Sequence, residues 1–200
     1  MNKSAYWLPS VIDTEDGTPI APRNVLLYYK HGPVQPFPKG LKVIAGNMNR
    51  DAPMASWEAY SHFECNEQYA SRQNHLVNCG RGGLLSMSVT FPDCWDGKNL
   101  QAVGQTHMRY SSQGQCPSSH PVRVPTLTVI AYYHVTKNSG TSNWRLSSDN
   151  YDRSKPAGYS AHADFMWAWD EALHKVLVDN CINKRLDCHA HLTGDGREFY

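Results

Sequence analysis

The stretch LLSMSVTF, at residues 84–91, alternates apolar and small polar side chains from Leu85 onward. Leu85, Met87, Val89 and Phe91 fall on one side, whereas the serines and the threonine fall on the other. Because residues two apart share a face of a β-strand, this pattern predicts a strand with one buried and one solvated face. Such strands are typical of antiparallel sheets.

A second stretch of the same kind, TLTVIAYYHV, occupies residues 126–135. Its alternate positions are apolar, and its branched and aromatic side chains suit a pleated surface. Shorter strands are predicted at residues 25–30, 41–45 and 60–65, where similar side chains lie between turn-forming residues. Several short strands in one chain favour a sandwich or barrel over a parallel sheet.

Residues 170–184 carry the only convincing helical spacing of apolar side chains, with acidic residues near the start and basic ones near the end. Residues 137–158 are rich in Ser, Asn, Asp and Gly and are predicted to be a surface loop. We therefore expect a mainly β fold, an antiparallel β-sandwich or jelly-roll-like core with long loops and one C-terminal helix. A single domain should span residues 1–200, with residues 189–200 as a tail.

The two strongest strands are joined by FPDCWDGKNLQAVGQTHMRYSSQGQCPSSHPVRV, residues 91–124. This segment is rich in turn residues and contains two Cys and two His. Loops with such side-chain chemistry commonly carry function on a rigid scaffold. We therefore expect it to be closed by a Cys94–Cys116 disulfide and to face a cleft.

The six Cys are dispersed, with no CxxC pair. An even number of dispersed Cys favours disulfides and an oxidising compartment, with nearest-neighbour pairing as the simplest connectivity. The predicted pairs are Cys65–Cys79, Cys94–Cys116 and Cys181–Cys188, and the alternative is buried free thiols. The protein is expected to be secreted, although the first residues lack the apolar run of an export signal, so the signal was removed or the chain is a fragment.

Charge and hydropathy limit the classes of partner that the chain can be expected to bind. The chain has 19 basic and 18 acidic residues, which gives no general attraction to nucleic acid or to an anionic membrane surface. No window approaches the ~20 apolar residues of a membrane-spanning helix. We expect a monomer with no membrane-spanning segment.

Acid–base side chains are the candidate catalytic groups, because imidazole and carboxylate can move protons near neutral pH. His162 and Asp164 lie two apart, so an extended backbone would place them on one face. The other candidates lie in the 91–124 loop, and structural roles such as turn capping by Asp93 and Asp96 remain open. The full catalytic set is His107, His120, His162, Asp164, Asp96 and Tyr110.

Substrate-binding candidates are Trp95 and Trp169, which offer flat aromatic faces, and His62, which lies in a predicted strand. The loop imidazoles also leave a divalent metal site open, although they match no recognised ligand spacing. A second possible metal cluster is His189 and His191 beside Cys188, and no cofactor is otherwise expected.

Several motifs together resemble one family, the secreted domain-of-unknown-function family nineteen-ninety-six. They are SAYW (4–7), FPKGLKVIAGN (37–47), FEC (63–65), FPDCWDGKNL (91–100), HMRY (107–110), CPSSHPVRVP (116–125) and HADFMWAWD (162–170). The resemblance covers residues 4–188. It implies an extracellular, disulfide-bonded protein associated with cell walls or polysaccharides, in fungi often beside WSC modules. Members usually carry an upstream segment with its own HxH motif, whereas this chain starts at the AYW motif.

Three functions follow as hypotheses. The first is a secreted polysaccharide-active enzyme, hydrolase or lyase, and the Tyr beside His in HMRY favours proton abstraction slightly. The second is a non-catalytic carbohydrate-binding module that uses exposed aromatic side chains. The third is a metalloprotein in which loop His residues bind copper or zinc.

Overall fold

A computed structural model of the chain describes residues 1–55, 60–68, 72–150, 154–188 and 192–198. The chain is mainly β. The strands are β1 (Ala5–Trp7), β2 (Val11–Asp13), β3 (Thr18–Ile20), β4 (Asn24–Lys30), β5 (Lys42–Gly46), β6 (Ser61–Cys65), β7 (Leu84–Thr90), β8 (Cys94–Trp95), β9 (Met108–Arg109), β10 (Val122–Arg123), β11 (Thr126–His134), β12 (Trp144–Leu146) and β13 (His162–Met166). One α-helix, α1 (Glu171–Leu177), continues as a π-helical turn, Val178–Ile182.

The centre of the fold is a four-stranded antiparallel sheet in the order β4-β11-β7-β6. Its middle pair is β7 and β11, where Val129 lies opposite Val89 and Ala131 opposite Met87. The five strands predicted from alternation and side-chain type are thus confirmed, with bounds shifted by a residue or so. Alternation is clearest in β7 and β11, because one face of these two strands is completely buried.

Two three-stranded sheets, β1-β13-β5 and β12-β2-β3, lie over that buried face. The first shares a core with one end of β7 and β11, and the second shares a core with the other end. The antiparallel sandwich expected from the sequence is therefore the observed arrangement. Phe165 of β13 and Phe91 after β7 meet edge to face in the first core, with ring centroids 6.1 Å apart.

The covering sheets depart from the sequence-based expectation. Residues 1–23 read as irregular but supply β1, β2 and β3, and the predicted surface loop 137–158 contains β12. The reason is that Trp144 and Leu146 are buried in the second core, although the sequence on either side of them is polar. A three-residue strand is too short to show a period, so its assignment depends on tertiary contacts.

A small sheet, β10-β8-β9, carries the 91–124 loop. The Cys94–Cys116 disulfide closes this loop, and Cys65–Cys79 and Cys181–Cys188 complete the three predicted pairs. Nearest-neighbour pairing is therefore confirmed.

The C-terminal helix begins after Asp170, whose side chain accepts a hydrogen bond from the Leu173 N–H at 3.0 Å. Its buried side chains are His174 and Val178, followed by Cys181 and Ile182. The predicted apolar stripe missed His174, because a histidine is usually polar surface in such a pattern.

Part of the predicted tail is packed against the helix. Residues 192–198 form a turn in which the Thr193 N–H donates to the Arg197 carbonyl oxygen at 3.1 Å. Thr193 is buried, and a Cβ on Gly194 would lie 2.5 Å from the Asn180 carbonyl oxygen. The segment therefore lies in close contact with the end of the helix.

Candidate functional site

An open groove of 1840 Å³ lies between the edge of β4 and the C-terminal helix. Strand β4 is the last strand of its sheet, so its outer edge has no partner strand among the described residues. One wall is the chain from Val25 to Gly32, and the other includes Trp169, Leu173 and Leu177. A long groove with apolar walls and a few polar groups has the usual character of a ligand site.

A buried carboxylate, Asp93, organises one end of this groove. Its Oδ1 accepts the Ser111 backbone N–H at 2.8 Å, and its Oδ2 accepts the Ser111 hydroxyl at 2.9 Å. Oδ2 also accepts the Thr126 hydroxyl at 3.0 Å. Ser111 lines the groove, whereas Asp93 is only 4% exposed behind it.

His31 is connected to this carboxylate through Thr126. Its Nδ1 lies 3.2 Å from Thr126 Oγ1, whose own proton is donated to Asp93. A hydroxyl has one proton to donate, so Thr126 Oγ1 must accept from His31, and Nδ1 carries the imidazole proton. Nε2 of His31 is then the nitrogen with a lone pair, on an exposed residue that lines the groove.

Two neighbouring features hold His31 in place. The residue adopts φ +71°, a left-handed conformation that is uncommon outside glycine and often marks functional sites. Gly32 lets the loop approach the helix, because a Cβ there would lie 2.5 Å from the Ile182 carbonyl oxygen. Asn183 then ties the loop down, accepting the Val34 N–H at 2.8 Å and donating to the Val34 carbonyl at 3.0 Å.

Arg123 completes this end of the groove. Its Nε lies 3.9 Å from Asp93 Oδ2, and this buried nitrogen has no hydrogen-bond partner among the described residues. The groove end thus combines a buried acid, an oriented imidazole and a guanidinium. This combination can remove a proton and stabilise negative charge.

Sequence reasoning did not single out His31, Ser111, Arg123 or Thr126, and it weighed Asp93 only as a turn cap. No short motif joins these residues, because the network depends on the register between β4 and β11, in which Thr126 lies opposite Lys30. A signal was present in Asp93 itself, an acidic residue two positions after Phe91, the last apolar residue in the alternating pattern of β7. An acidic side chain at that position must find several donors, and those donors are the rest of the network.

The predicted catalytic residues His107 and His120 are both buried and bind backbone carbonyls. His107 Nε2 lies 2.8 Å from the Lys42 carbonyl oxygen, which caps the free edge of β5. His120 Nε2 lies 2.8 Å from the Thr106 carbonyl oxygen, and its Nδ1 lies 2.9 Å from the Ser119 hydroxyl. The His107 bond fastens the 91–124 loop to β5 of the covering sheet, and the His120 bonds hold the loop to itself.

Asp96 and Trp95 shape a turn in the same loop. Asp96 Oδ1 accepts the N–H groups of Lys98 and Asn99 at 2.8 and 2.9 Å. Burial alone would raise the pKa of this carboxyl, but the hydrogen bonds from Asn99 and Lys98 outweigh it and hold the pKa below its usual range. The indole of Trp95 donates to the Asn99 carbonyl at 2.7 Å. The residues thus act as turn partners in this structure.

Tyr110 lies in the same loop and stacks on Tyr60, with ring centroids 5.7 Å apart. Its hydroxyl donates to the Thr90 carbonyl oxygen at 2.9 Å. Burial of the hydroxyl, reinforced by Tyr60 and Asp93, raises the pKa of Tyr110 above its usual range. The phenol proton is therefore firmly held.

His162 and Asp164 do share a face, because both lie in β13 and point away from the core. The imidazole Nδ1 bonds the Ser160 carbonyl oxygen at 2.9 Å rather than the carboxylate. Asp164 lies between Ile44 and Trp7 of the neighbouring strands, and both of these are exposed. This is a flat sheet surface on a different part of the molecule from the His31 groove.

Of the predicted substrate-binding residues, Trp169 lines the groove, and its indole donates to the Tyr29 hydroxyl at 3.3 Å. His62 lies in β6, at the opposite edge of the central sheet from β4. Burial and Arg72 lower the pKa of His62, and Glu64 opposes them. His189 and His191 lie outside the described residues.

The imidazoles therefore divide among several places. Within the described ranges, no group of three or more His, Cys, Asp or Glu side chains is placed to hold a metal ion. No helix in the described part of the chain has the length and apolar character needed to cross a membrane.

Comparison with curated proteins and with solved structures finds no match. A family model, domain of unknown function (DUF1996), matches residues 1–169 of the 200-residue chain. The match includes β1 to β13 and every residue of the network around Asp93, while the C-terminal helix follows it. The family resemblance seen in the sequence motifs is thus confirmed, and the chain belongs to the DUF1996 family.

Proposed function

We propose that this protein is a secreted, monomeric, polysaccharide-active enzyme that works in the groove beside β4, with His31 as its general base. The observation that carries the proposal is the chain of hydrogen bonds from His31 through Thr126 to Asp93. A hydrogen-bonded carboxylate behind an imidazole fixes its tautomer and supports the positive charge that it gains on accepting a proton.

The walls of the groove suit an extended polymer. A seven-residue strand such as β4 is about 20 Å long, and its outer edge offers backbone donors and acceptors to a ligand. Trp169 supplies an aromatic face of the kind that covers apolar ligand surfaces. Three disulfides support export to an oxidising compartment, where polysaccharide substrates are found.

The test compares His31→Asn with His134→Asn on a panel of polysaccharides, scored for reducing ends and for absorbance of unsaturated products. Asn tolerates positive φ and can still donate to Thr126, so His31→Asn should fold but lose the base. We expect kcat to fall about a hundredfold, a typical general-base contribution. His134 is exposed at the end of β11, and its variant should retain activity.

Turnover that survives His31→Asn would contradict the proposed site. Loss of turnover in His162→Ala instead would assign the active site to the outer face of the β1-β13-β5 sheet, where the sequence predicted catalytic residues. Absence of turnover on every polysaccharide would contradict an enzyme altogether and leave carbohydrate binding as the function.

One observation favours that second candidate, a carbohydrate-binding surface on the outer face of β1-β13-β5. Trp7 is 49% exposed and lies directly opposite Asp164, which places an aromatic platform beside a carboxylate. Truncation of a central Trp in an interface typically costs more than 1 kcal/mol. Trp7→Ala should then weaken binding about tenfold in a pull-down with insoluble cell-wall glycans, with Met48→Ala as the control for another exposed apolar side chain.

A further inference from the structure

The guanidinium of Arg123 has an unusual lack of partners for a side chain at the end of a groove. Its described side-chain contacts are limited to the Asp93 carboxylate, at 3.9 Å, which is longer than a hydrogen bond. The side chain is 24% exposed, and Arg123 lines the groove. Arg carries five N–H donors in a planar fork, so most of this capacity remains available to a ligand.

Gly114, which also lines the groove, lies beside this fork. A Cβ there would be in ordinary contact with Arg123, 3.8 Å from Nη2 and 3.9 Å from Nη1, so the glycine leaves both nitrogens without a neighbouring side chain at this position. Gly114 also adopts φ +76°, where other residues are strained. Parallel hydrogen bonds from an Arg fork match the two oxygens of a carboxylate.

We infer that the substrate is a polyuronate, a polysaccharide whose sugars carry carboxylates, and that Arg123 binds one of them. The inference rests on the proposed function and deepens it by naming the substrate class. The overall charge of the groove does not decide this, since its lining includes Lys30 and Arg185 but also Asp187 and Glu198. The assignment instead rests on Arg123 and on its link to His31 through Asp93 and Thr126.

This substrate gives the oriented imidazole a definite reaction, β-elimination. The proton on the sugar carbon next to the carboxylate moves to His31 Nε2, and Arg123 stabilises the charge that develops on the carboxylate oxygens. The electron pair of the broken C–H bond forms a carbon–carbon double bond. The glycosidic C–O bond on the far carbon breaks, and the departing oxygen takes up a proton from the imidazolium or from water. The products are one chain with a new end and one with an unsaturated uronate.

The test measures binding of polygalacturonate and of its methyl ester by isothermal titration calorimetry, together with turnover of both. We compare Arg123→Gln and Arg123→Lys with Arg23→Gln, an exposed arginine that precedes β4 and does not line the groove. Loss of a charged hydrogen-bonding partner should weaken polygalacturonate binding by about tenfold to a hundredfold in both Arg123 variants. Arg123→Lys keeps the charge beside Asp93 and guards against a folding defect, and Arg23→Gln should bind normally.

Equal affinity for the acid and its methyl ester would overturn the inference, as would binding that ignores both Arg123 variants. If only neutral polysaccharides were turned over, and this activity depended on His31, the polyuronate inference would be wrong while the proposed enzyme activity would stand. Polygalacturonate binding that depends on Arg123 but gives no unsaturated product would keep the ligand and remove the proposed enzyme. The carboxylate contact also predicts weaker binding at high salt in the unmodified protein.

Discussion

Asp93→Ala should lower the free energy of unfolding by about 3–5 kcal/mol, because three hydrogen-bond donors lose the buried acceptor that they share. The carboxylate is the acceptor for the Ser111 N–H, the Ser111 hydroxyl and the Thr126 hydroxyl. After its removal these donors have no acceptor and Arg123 loses its nearby negative charge, so each contributes a desolvation penalty. Urea unfolding at neutral pH, followed by tryptophan fluorescence, measures the loss.

The matched control is Asp96→Ala, three residues along the same loop. Asp96 also accepts several hydrogen bonds, but it is only half-buried, and water can replace a lost partner there. Its variant should lose about 1 kcal/mol or less. Equal losses in the two variants would mean that Asp93 is merely one more turn residue and does not hold the network together.

The second large effect is a pH dependence of stability that arises from His174. This imidazole is completely buried and stacks on Phe37, with ring centroids 5.6 Å apart. Its Nε2 accepts the Phe37 N–H at 3.1 Å. Burial lowers the pKa of His174 from 6.5 to about 4. The neighbouring Tyr29, whose pKa is raised by burial, stays neutral over this range.

The sign follows from the difference between the two states. Between pH 4 and 6.5 the unfolded chain binds a proton at this position and the folded chain does not. Acidification therefore favours unfolding, and the contribution present above pH 6.5 is lost as the pH falls toward 4. The loss should total about 3 kcal/mol, with a slope near 1.4 kcal/mol per pH unit.

The measurement is a series of urea unfolding curves from pH 4 to 7.5 for the unmodified chain, His174→Gln and His134→Gln. Gln can still accept the Phe37 N–H but does not titrate, so its curve of stability against pH should be flatter. His134 is exposed, and its variant should follow the unmodified protein. An unchanged slope in His174→Gln would assign the dependence to other groups, such as His62, whose pKa is also lowered.

The central sheet could be predicted from the sequence because β7 and β11 are long and have one completely buried face. Strand β13 shows the limit of the method. Its residues His162 and Asp164 alternate with Ala163 and Phe165, and this spacing alone predicts a catalytic pair as readily as a sheet with one solvated face. The alternation there reports a sheet surface, and a polar face on a strand is as consistent with solvent as with a site.

The candidate site was less predictable than the fold. The polar, turn-rich loop predicts catalytic histidines, but His107 and His120 each bond a backbone carbonyl oxygen through Nε2. His31 is linked to Asp93 through a residue 95 positions away in the chain. Such a network is fixed by strand register and burial, and neither quantity is visible in local spacing.

The double hydrogen bond between Asn183 and Val34 has a mechanical consequence. It joins the turn that bears His31 to the end of the helix on the other side of the groove, so the two walls are linked at this point. Because these two bonds fix the groove at the His31 end, we expect any widening on binding of a ligand to occur farther along β4, toward Val25.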